Sequence, residues 1–124
     1  MPWTVITHDD FDGEFDALPE AVRDELTAAM GVLEEHGPSL GRPHVDTLNG
    51  SKHANMKELR FSADDGEWRF AFAFDPNRQA VVLVGGDKSG GSSPRFYKSL
   101  IKRADARFDR WLAANLKEKK DQKK

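Results

Sequence analysis

Residues 66–90 read GEWRFAFAFDPNRQAVVLVGGDKSG, and this stretch decides the fold. Its first part alternates between large aromatic residues and other residues, which is the period of a β-strand with one apolar face. The aromatic positions are Trp68, Phe70, Phe72 and Phe74. After a Pro76-Asn77 turn, the continuous apolar run at residues 81–84 is typical of a buried central strand. The stretch therefore predicts two neighbouring strands of one antiparallel sheet.

The sequence just before this stretch adds a third strand. Residues 56–61 are joined to the strand at 68–74 by an Asp64-Asp65-Gly66 turn, so the three strands form an antiparallel meander. Residues 37–55 are rich in Gly, Pro, His and Asn without periodicity, and we expect a long surface loop there.

Helices are predicted on both sides of the meander in the chain. A short β-branched strand at residues 3–6 precedes two helices, at about 9–18 and 19–36, and a last helix is predicted at 93–116. Its apolar stripe consists of Phe96, Leu100, Ala104, Phe108 and Trp111 or Leu112. The order β-α-α-β-β-β-α indicates an α+β fold, and we expect the helices to pack on one face of the sheet.

The length of 124 residues fits a single domain, predicted at residues 1–116, followed by a polar, frayed tail at residues 117–124. The chain has no cysteine, which excludes disulfides, thiol nucleophiles and Cys-ligated zinc. The four histidines lack metal-ligand spacing, and helix capping explains the acids at residues 9–12, so we predict neither metal nor cofactor. Because no signal peptide or apolar span of about 20 residues is evident, a cytoplasmic location is expected.

Charge is distributed very unevenly along the chain, although the net charge is only −2. Residues 1–39 hold ten acids and one base, whereas residues 40–124 hold 18 bases and 11 acids. A basic surface of this kind favours a polyanion such as RNA as the partner. A solvated charged surface without a partner is the alternative.

Two arginines are the first candidates for chemistry. On the predicted strands, Arg60 and Arg69 become cross-strand neighbours on the face opposite the aromatic row. Neighbouring like charges cost stability, so such a pair commonly accompanies an anion. The structural alternative is neutralisation by one of the nearby carboxylates Glu58, Glu67 or Asp75.

Other candidates lie near the last helix and in the long loop. Lys88 stands in a glycine-rich loop that lacks the P-loop spacing, yet it can reach a phosphate. Tyr97, at the start of the last helix, is available to stack on a base. His44 and His53 lie in the predicted loop beside basic residues, and His53 is a possible general base by residue type.

Three segments together resemble the RelE/HigB superfamily of bacterial toxins, in its phage-related HigB-like branch. They are LNGSKHANMKELRF at residues 48–61, the stretch at 66–90, and RFYKSLIKRADARFDRWL at 95–112. The resemblance covers about residues 3–114. It implies a ribosome-dependent mRNA endonuclease that cuts without metal, by attack of a ribose 2′-hydroxyl on the adjacent phosphate. The implied partners are mRNA on the 70S ribosome and a cognate helix-turn-helix antitoxin.

The resemblance also implies roles for individual residues. The family's basic positions correspond to Arg60, Arg69, Lys57 and Lys88, and its tyrosine corresponds to Tyr97. The catalytic candidates are Arg69, Arg60, Tyr97 and Lys88. Arg69 would stabilise the charge on the reacting phosphate, Arg60 and Lys88 would hold phosphates, and Tyr97 would stack the base. Candidates for RNA or phosphate binding are Lys57, Lys52, His53, Arg95 and Lys98. The general base remains unassigned.

Two alternatives to the nuclease are open at this point. A non-catalytic member of the same fold would bind RNA or its antitoxin without cutting. An unrelated interaction domain would have Arg69 paired and covered by Glu58 or Glu67, whereas the nuclease needs Arg69, Arg60 and Tyr97 on one exposed concave surface.

Overall fold

The computed structural model describes residues 3–90 and 93–122, with side chains described up to residue 115. Five strands form one sheet: β1 (Thr4–Thr7), β2 (Val45–Thr47), β3 (Met56–Ala63), β4 (Gly66–Phe74) and β5 (Gln79–Asp87). Three α-helices accompany them: α1 (Asp9–Asp16), α2 (Glu20–His36) and α3 (Ser93–Gln122). A short 3-10 turn, Gly37–Ser39, ends α2. The predicted α+β class is confirmed.

The strand order in the sheet is β1-β5-β4-β3-β2. Strands β3, β4 and β5 form the predicted antiparallel meander, and β1 joins it by pairing with β5 in parallel. The turn between β3 and β4 has positive φ at both Asp64 and Asp65, as the tight two-residue turns of hairpins require. Strand β2 pairs with β3 inside the segment predicted as a loop. Three residues are too few to produce a readable alternation, so this strand was missed.

Helices cover both faces of the sheet, so the expectation of helices on one face is wrong. Helices α1 and α2 pack on the aromatic face of β4, against residues such as Leu59, Phe70 and Phe72. Helix α3 packs on the opposite face, where Ala71 and Ala73 are fully buried. Alternation of large and small residues on β4 suggested one apolar face. The small alanines instead form the second apolar face, against which α3 packs.

Strand β5 continues through Gly85 to Asp87, where the sequence suggested a loop from residue 85 to 92. The reason is the aromatic row on β4, because a Cβ atom at Gly85 would lie 2.0 Å from the Phe70 ring. Glycine therefore allows the strand to continue beneath a large side chain. Residues 91 and 92 of that expected loop lie outside the described residues.

Helix α3 begins at Ser93, as predicted, and extends to Gln122. It thus continues into the segment 117–124 that was expected to be a frayed tail, of which residues 123 and 124 lie outside the described residues. The division of the chain at residue 116 stays a prediction. In the described part of the chain, no helix combines the length and apolar character that crossing a membrane requires.

Candidate functional site

Arg60 on β3 and Arg69 on β4 are direct cross-strand partners. Both project from the face that α3 covers, as the alternation along β4 indicated. Arg69 is only 5% exposed, whereas 26% of the Arg60 side chain is exposed. The nuclease interpretation required Arg69 on an exposed surface, whereas the structure buries it. Tyr97 from the first turns of α3 reaches Arg69 and closes that side.

Glu58 lies between the two guanidinium groups and is itself 4% exposed. Its carboxylate oxygens are 3.7 Å from Arg60 Nε and 4.0 Å from Arg69 Nε. Glu67 approaches Arg69 from the other side, with 3.8 Å between Oε1 and Nη2. Arg69 is therefore paired and covered by the two carboxylates that the sequence suggested as neutralising partners.

Burial is the main cause of the pKa shifts of Glu58 and Tyr97 in this cluster. Burial raises the pKa of Glu58, although the Tyr97 hydroxyl and the two arginines partly offset it. Burial also raises the pKa of Tyr97, and the Glu58 carboxylate beside it adds to that shift. The phenol is therefore a neutral hydroxyl at physiological pH, able to donate a hydrogen bond.

The cluster is incompletely hydrogen-bonded. Among the described residues, four buried side-chain polar atoms lack a hydrogen-bond partner, and three of them are Glu58 Oε1, Arg60 Nε and Arg69 Nε. Buried polar atoms are nearly always paired, so a concentration of exceptions at one place calls for an explanation. A site that binds a polar ligand gives one, because the ligand supplies the missing partners.

A cleft of about 480 Å³ opens beside the arginines at the edge of the sheet. It is lined by Arg60, Arg69, Ser62 and Glu67 on the hairpin, by Pro43 and His44 before β2, and by Phe61 and Glu25. This volume is in the range of small-molecule sites and is large enough for a nucleotide. The two arginines therefore adjoin a space where an anionic group can bind.

The next three candidates lie at the end of β5 and at the start of α3. Lys88 follows β5, and its backbone N–H donates to the Glu67 carbonyl at 2.8 Å, next to the cleft. Arg95 and Lys98 are exposed in the first two turns of α3, on either side of Tyr97 in the chain. Neither is within ion-pairing distance of a carboxylate of the described residues.

Lys57, Lys52 and His53 do not join the cluster. Lys57 alternates with Glu58 and so points to the other face, with Leu59. His53 Nε2 lies 2.8 Å from Asp109 Oδ1, and Lys52 pairs with the same carboxylate. Asp109 is 12 residues beyond Tyr97 on α3, about 18 Å along the helix axis. His53 is thus too far away to serve as the general base of the Arg69 site.

Sequence reasoning underrated Glu58 and His44. Glu58 was considered only as a neutralising partner, although a carboxylate on the same strand face as Arg60 already signalled a mixed-charge cluster. His44 lies in a turn, as the predicted loop implied, but its place beside Arg60 depends on the short β2, which the sequence did not reveal. Among the described side chains, no group of three or more His, Asp or Glu residues is arranged to hold a metal ion.

Comparisons with known proteins agree with this architecture. Residues 13–109 match the family described as "Phage derived protein Gp49-like (DUF891)". Two proteins of Mycobacterium tuberculosis (strain ATCC 25618 / H37Rv), provisionally designated toxins HigB3 and HigB2, are similar in sequence. The first is 47% identical over 100 residues, which are 81% of this chain and 85% of HigB3. The second is 53% identical over 87 residues, 69% of this chain but only 43% of HigB2.

A solved structure shares the fold. A mutant of the E. coli toxin RelE in its free state superposes with a TM-score of 0.56 over 83% of this chain and 98% of RelE, at 14% identity. The chain therefore belongs to the Gp49-like family within the RelE/HigB superfamily of toxins. It is the toxin of a toxin-antitoxin system, and an antitoxin is its implied partner. An unrelated interaction domain is excluded.

Proposed function

We propose that this toxin is a ribosome-dependent endoribonuclease that cuts mRNA and thereby inhibits translation. The observation that carries the proposal is the facing pair Arg60 and Arg69, which adjoins a nucleotide-sized cleft and retains unpaired buried donors. Guanidinium groups bind phosphate through forked donors and stay charged at all physiological pH values. Action on the ribosome would place the protein in the cytoplasm.

The reaction needs charge stabilisation more than any other contribution. When a ribose 2′-hydroxyl attacks the adjacent phosphate, negative charge builds on the non-bridging oxygens. Arg69 stabilises that charge once Glu58 or Glu67 gives way to the phosphate, and the more exposed Arg60 holds the phosphate as it enters. The products would carry a 2′,3′-cyclic phosphate and a 5′-hydroxyl.

Tyr97 and the remaining cations have supporting roles in this proposal. The Tyr97 ring stacks on a base and its neutral hydroxyl orients the 2′-hydroxyl. Lys88 after β5, and the exposed Arg95 and Lys98 at the start of α3, bind flanking phosphates in this proposal. Glu58 is a positioning residue, because its carboxylate sits between the two guanidinium groups and orients both.

The test is primer extension on a ribosome-bound message with wild-type protein, Arg60→Ala and Lys57→Ala. Arg60 is partly exposed, so its removal should leave the fold intact while lowering the cleavage rate about 100- to 1,000-fold. Lys57→Ala is the matched control, because it removes one charge from the same strand on the opposite face. Cleavage at equal rates by all three proteins would contradict the site assignment, and no cleavage by the wild type would contradict the nuclease.

One observation favours a second candidate function. Arg69 is closed in by two carboxylates and Tyr97, so a phosphate reaches it only if Glu58 or Glu67 gives way. A non-catalytic member of the same fold, which binds RNA or its antitoxin without cutting, would have no need of access to Arg69. In the same assay such a protein would bind the programmed ribosome or the antitoxin and leave the message whole.

A further inference from the structure

We propose that His44 is the proton acceptor of the cleavage reaction. This inference rests on the proposed function and assigns the role that the sequence left without a residue. It is carried by the position of His44 on the wall of the cleft that Arg60 and Arg69 also line.

The backbone fixes His44 beside the arginine pair. The Arg60 N–H donates to the His44 carbonyl at 2.9 Å, and the next residue, Val45, pairs with Leu59 in the β2–β3 ladder. His44 is therefore the neighbour of Arg60 on one side, as Arg69 is on the other. Unlike Arg69, His44 is exposed, so an incoming ribose can reach its imidazole.

The other histidines of the described residues lie outside this cleft. His8 is buried and caps α1 by accepting a hydrogen bond from the Asp10 N–H. His36 ends α2, and His53 binds Asp109 on α3. Histidine is the side chain whose charge ordinarily changes between pH 5 and 8, which suits proton transfer near neutrality. By position, His44 is the histidine that can perform this step at the arginine pair.

Charged groups from every neighbouring element face the same cleft or its rim. They are Arg60 and Glu58 on β3, Arg69 and Glu67 on β4, Glu25 on α2, and the Arg42–Asp46 ion pair around β2. Bound phosphate would add negative charge opposite the guanidinium groups. The imidazole of His44 is therefore surrounded by both positive and negative side chains, and neither sign predominates.

Neutral His44 takes the proton of the 2′-hydroxyl as its oxygen attacks phosphorus and forms the new P–O bond. The bond from phosphorus to the 5′-oxygen breaks, and that oxygen takes a proton from water at the open side of the cleft. The imidazolium of His44 then returns its proton to solvent, so no oxidant, reductant or metal is needed.

The experiment is the pH dependence of cleavage of ribosome-bound mRNA, measured under single-turnover conditions with wild type, His44→Gln and His36→Gln. A side chain that must be neutral to accept the proton makes the wild-type rate rise with pH. His44→Gln should lower the rate at pH 7.5 about 100-fold or more and abolish that rise. His36→Gln, the matched control outside the cleft, should keep both the rate and the profile.

Two further measurements distinguish loss of the proton acceptor from loss of the fold. Added imidazole should partly restore cleavage to His44→Gly, and urea unfolding should give all variants the stability of the wild type. A His44→Gln protein that cuts at the parent rate, or more slowly with the wild-type pH profile, overturns the proposal. If the wild type itself leaves the message intact, the proposed function fails rather than this assignment.

Discussion

Glu58 offsets the positive charge of the site, because its buried carboxylate lies between two guanidinium groups. Arg69 points away from the aromatic row, yet at 5% exposure it is part of the folded interior rather than of the surface. Removal of Arg69 leaves Glu58 buried with one cation fewer, and an unpaired buried charge is destabilising.

We therefore expect Arg69→Ala to lower the free energy of unfolding by about 1–3 kcal/mol at pH 7. The loss should be smaller near pH 4.5. Burial already raises the pKa of Glu58 in the folded protein above its value in the unfolded chain. Protonation of Glu58 therefore stabilises the fold at pH values below the unfolded pKa, and this stabilisation is lost as the pH rises through the folded pKa. Without Arg69 the folded pKa rises further, which deepens that loss at neutral pH.

The measurement is urea unfolding of wild type, Arg69→Ala, Glu58→Gln and the double variant at both pH values. In the double variant the uncompensated charge is absent, so the pH dependence of the Arg69→Ala effect should disappear. An Arg69→Ala protein as stable as the wild type at pH 7 would mean that the pair adds nothing to folding.

At the scale of elements, ion pairs and hydrogen bonds connect α3 to the rest of the domain on two sides. On one side, Arg107 pairs with Glu14 of α1 at 2.6 Å, and Arg103 and Arg110 also contact α1 carboxylates. On the other, Asp105 accepts hydrogen bonds from Ser51 Oγ and the Lys52 N–H. These contacts hold the helix whose first turns carry Tyr97, so they position the site from a distance.

Arg107 should contribute most to this attachment. Its guanidinium is largely buried and binds the Glu14 carboxylate. It also donates a hydrogen bond of 2.7 Å to the Leu83 carbonyl, at the point where the pairing register of β4 and β5 shifts. Arg107→Ala should cost about 1–3 kcal/mol in the free energy of unfolding, because that carbonyl loses its partner. Arg103→Ala is the matched control, and with half of its side chain exposed it should cost under about 0.5 kcal/mol. Equal urea midpoints for the two variants would refute this ranking.

At the scale of the whole molecule, part of the uneven charge of the chain is neutralised where its acidic and basic parts meet. The basic C-terminal part lies against the acidic N-terminal part where α3 meets α1. Seven basic residues between residues 40 and 110 lie within 4.0 Å of a carboxylate: Arg42, Lys52, Arg60, Arg69, Arg103, Arg107 and Arg110. The cations available to a polyanion are therefore fewer than the sequence count suggested.

Under the proposed function, the protein expressed alone in bacteria should arrest growth by halting translation. Co-expression with its antitoxin should restore growth, and the two proteins should co-purify. The measurements are growth curves and labelled-amino-acid incorporation, with Arg60→Ala as the inactive control. Soluble wild-type protein that accumulates without slowing growth would favour the non-catalytic alternative.

The sequence by itself determined the elements with clear periodicity and the candidates on them. The aromatic alternation of β4, the apolar run of β5 and the turn at Asp64-Asp65 are local patterns, so they predicted the meander and the facing of Arg60 and Arg69. Helix α3 and its apolar stripe followed in the same way. Each of these signals is contained within a few adjacent residues, where propensity and side-chain period act.

Only the tertiary structure decided which surfaces are covered and which charges meet. The burial of Arg69 depends on α3, which starts 24 residues later in the chain, and the separation of His53 from the site depends on Asp109. The same holds for β2, which is too short to be stable except against β3, and for the place of His44 beside Arg60. Contacts between distant segments arise from packing of whole faces, and no local period in the chain encodes them.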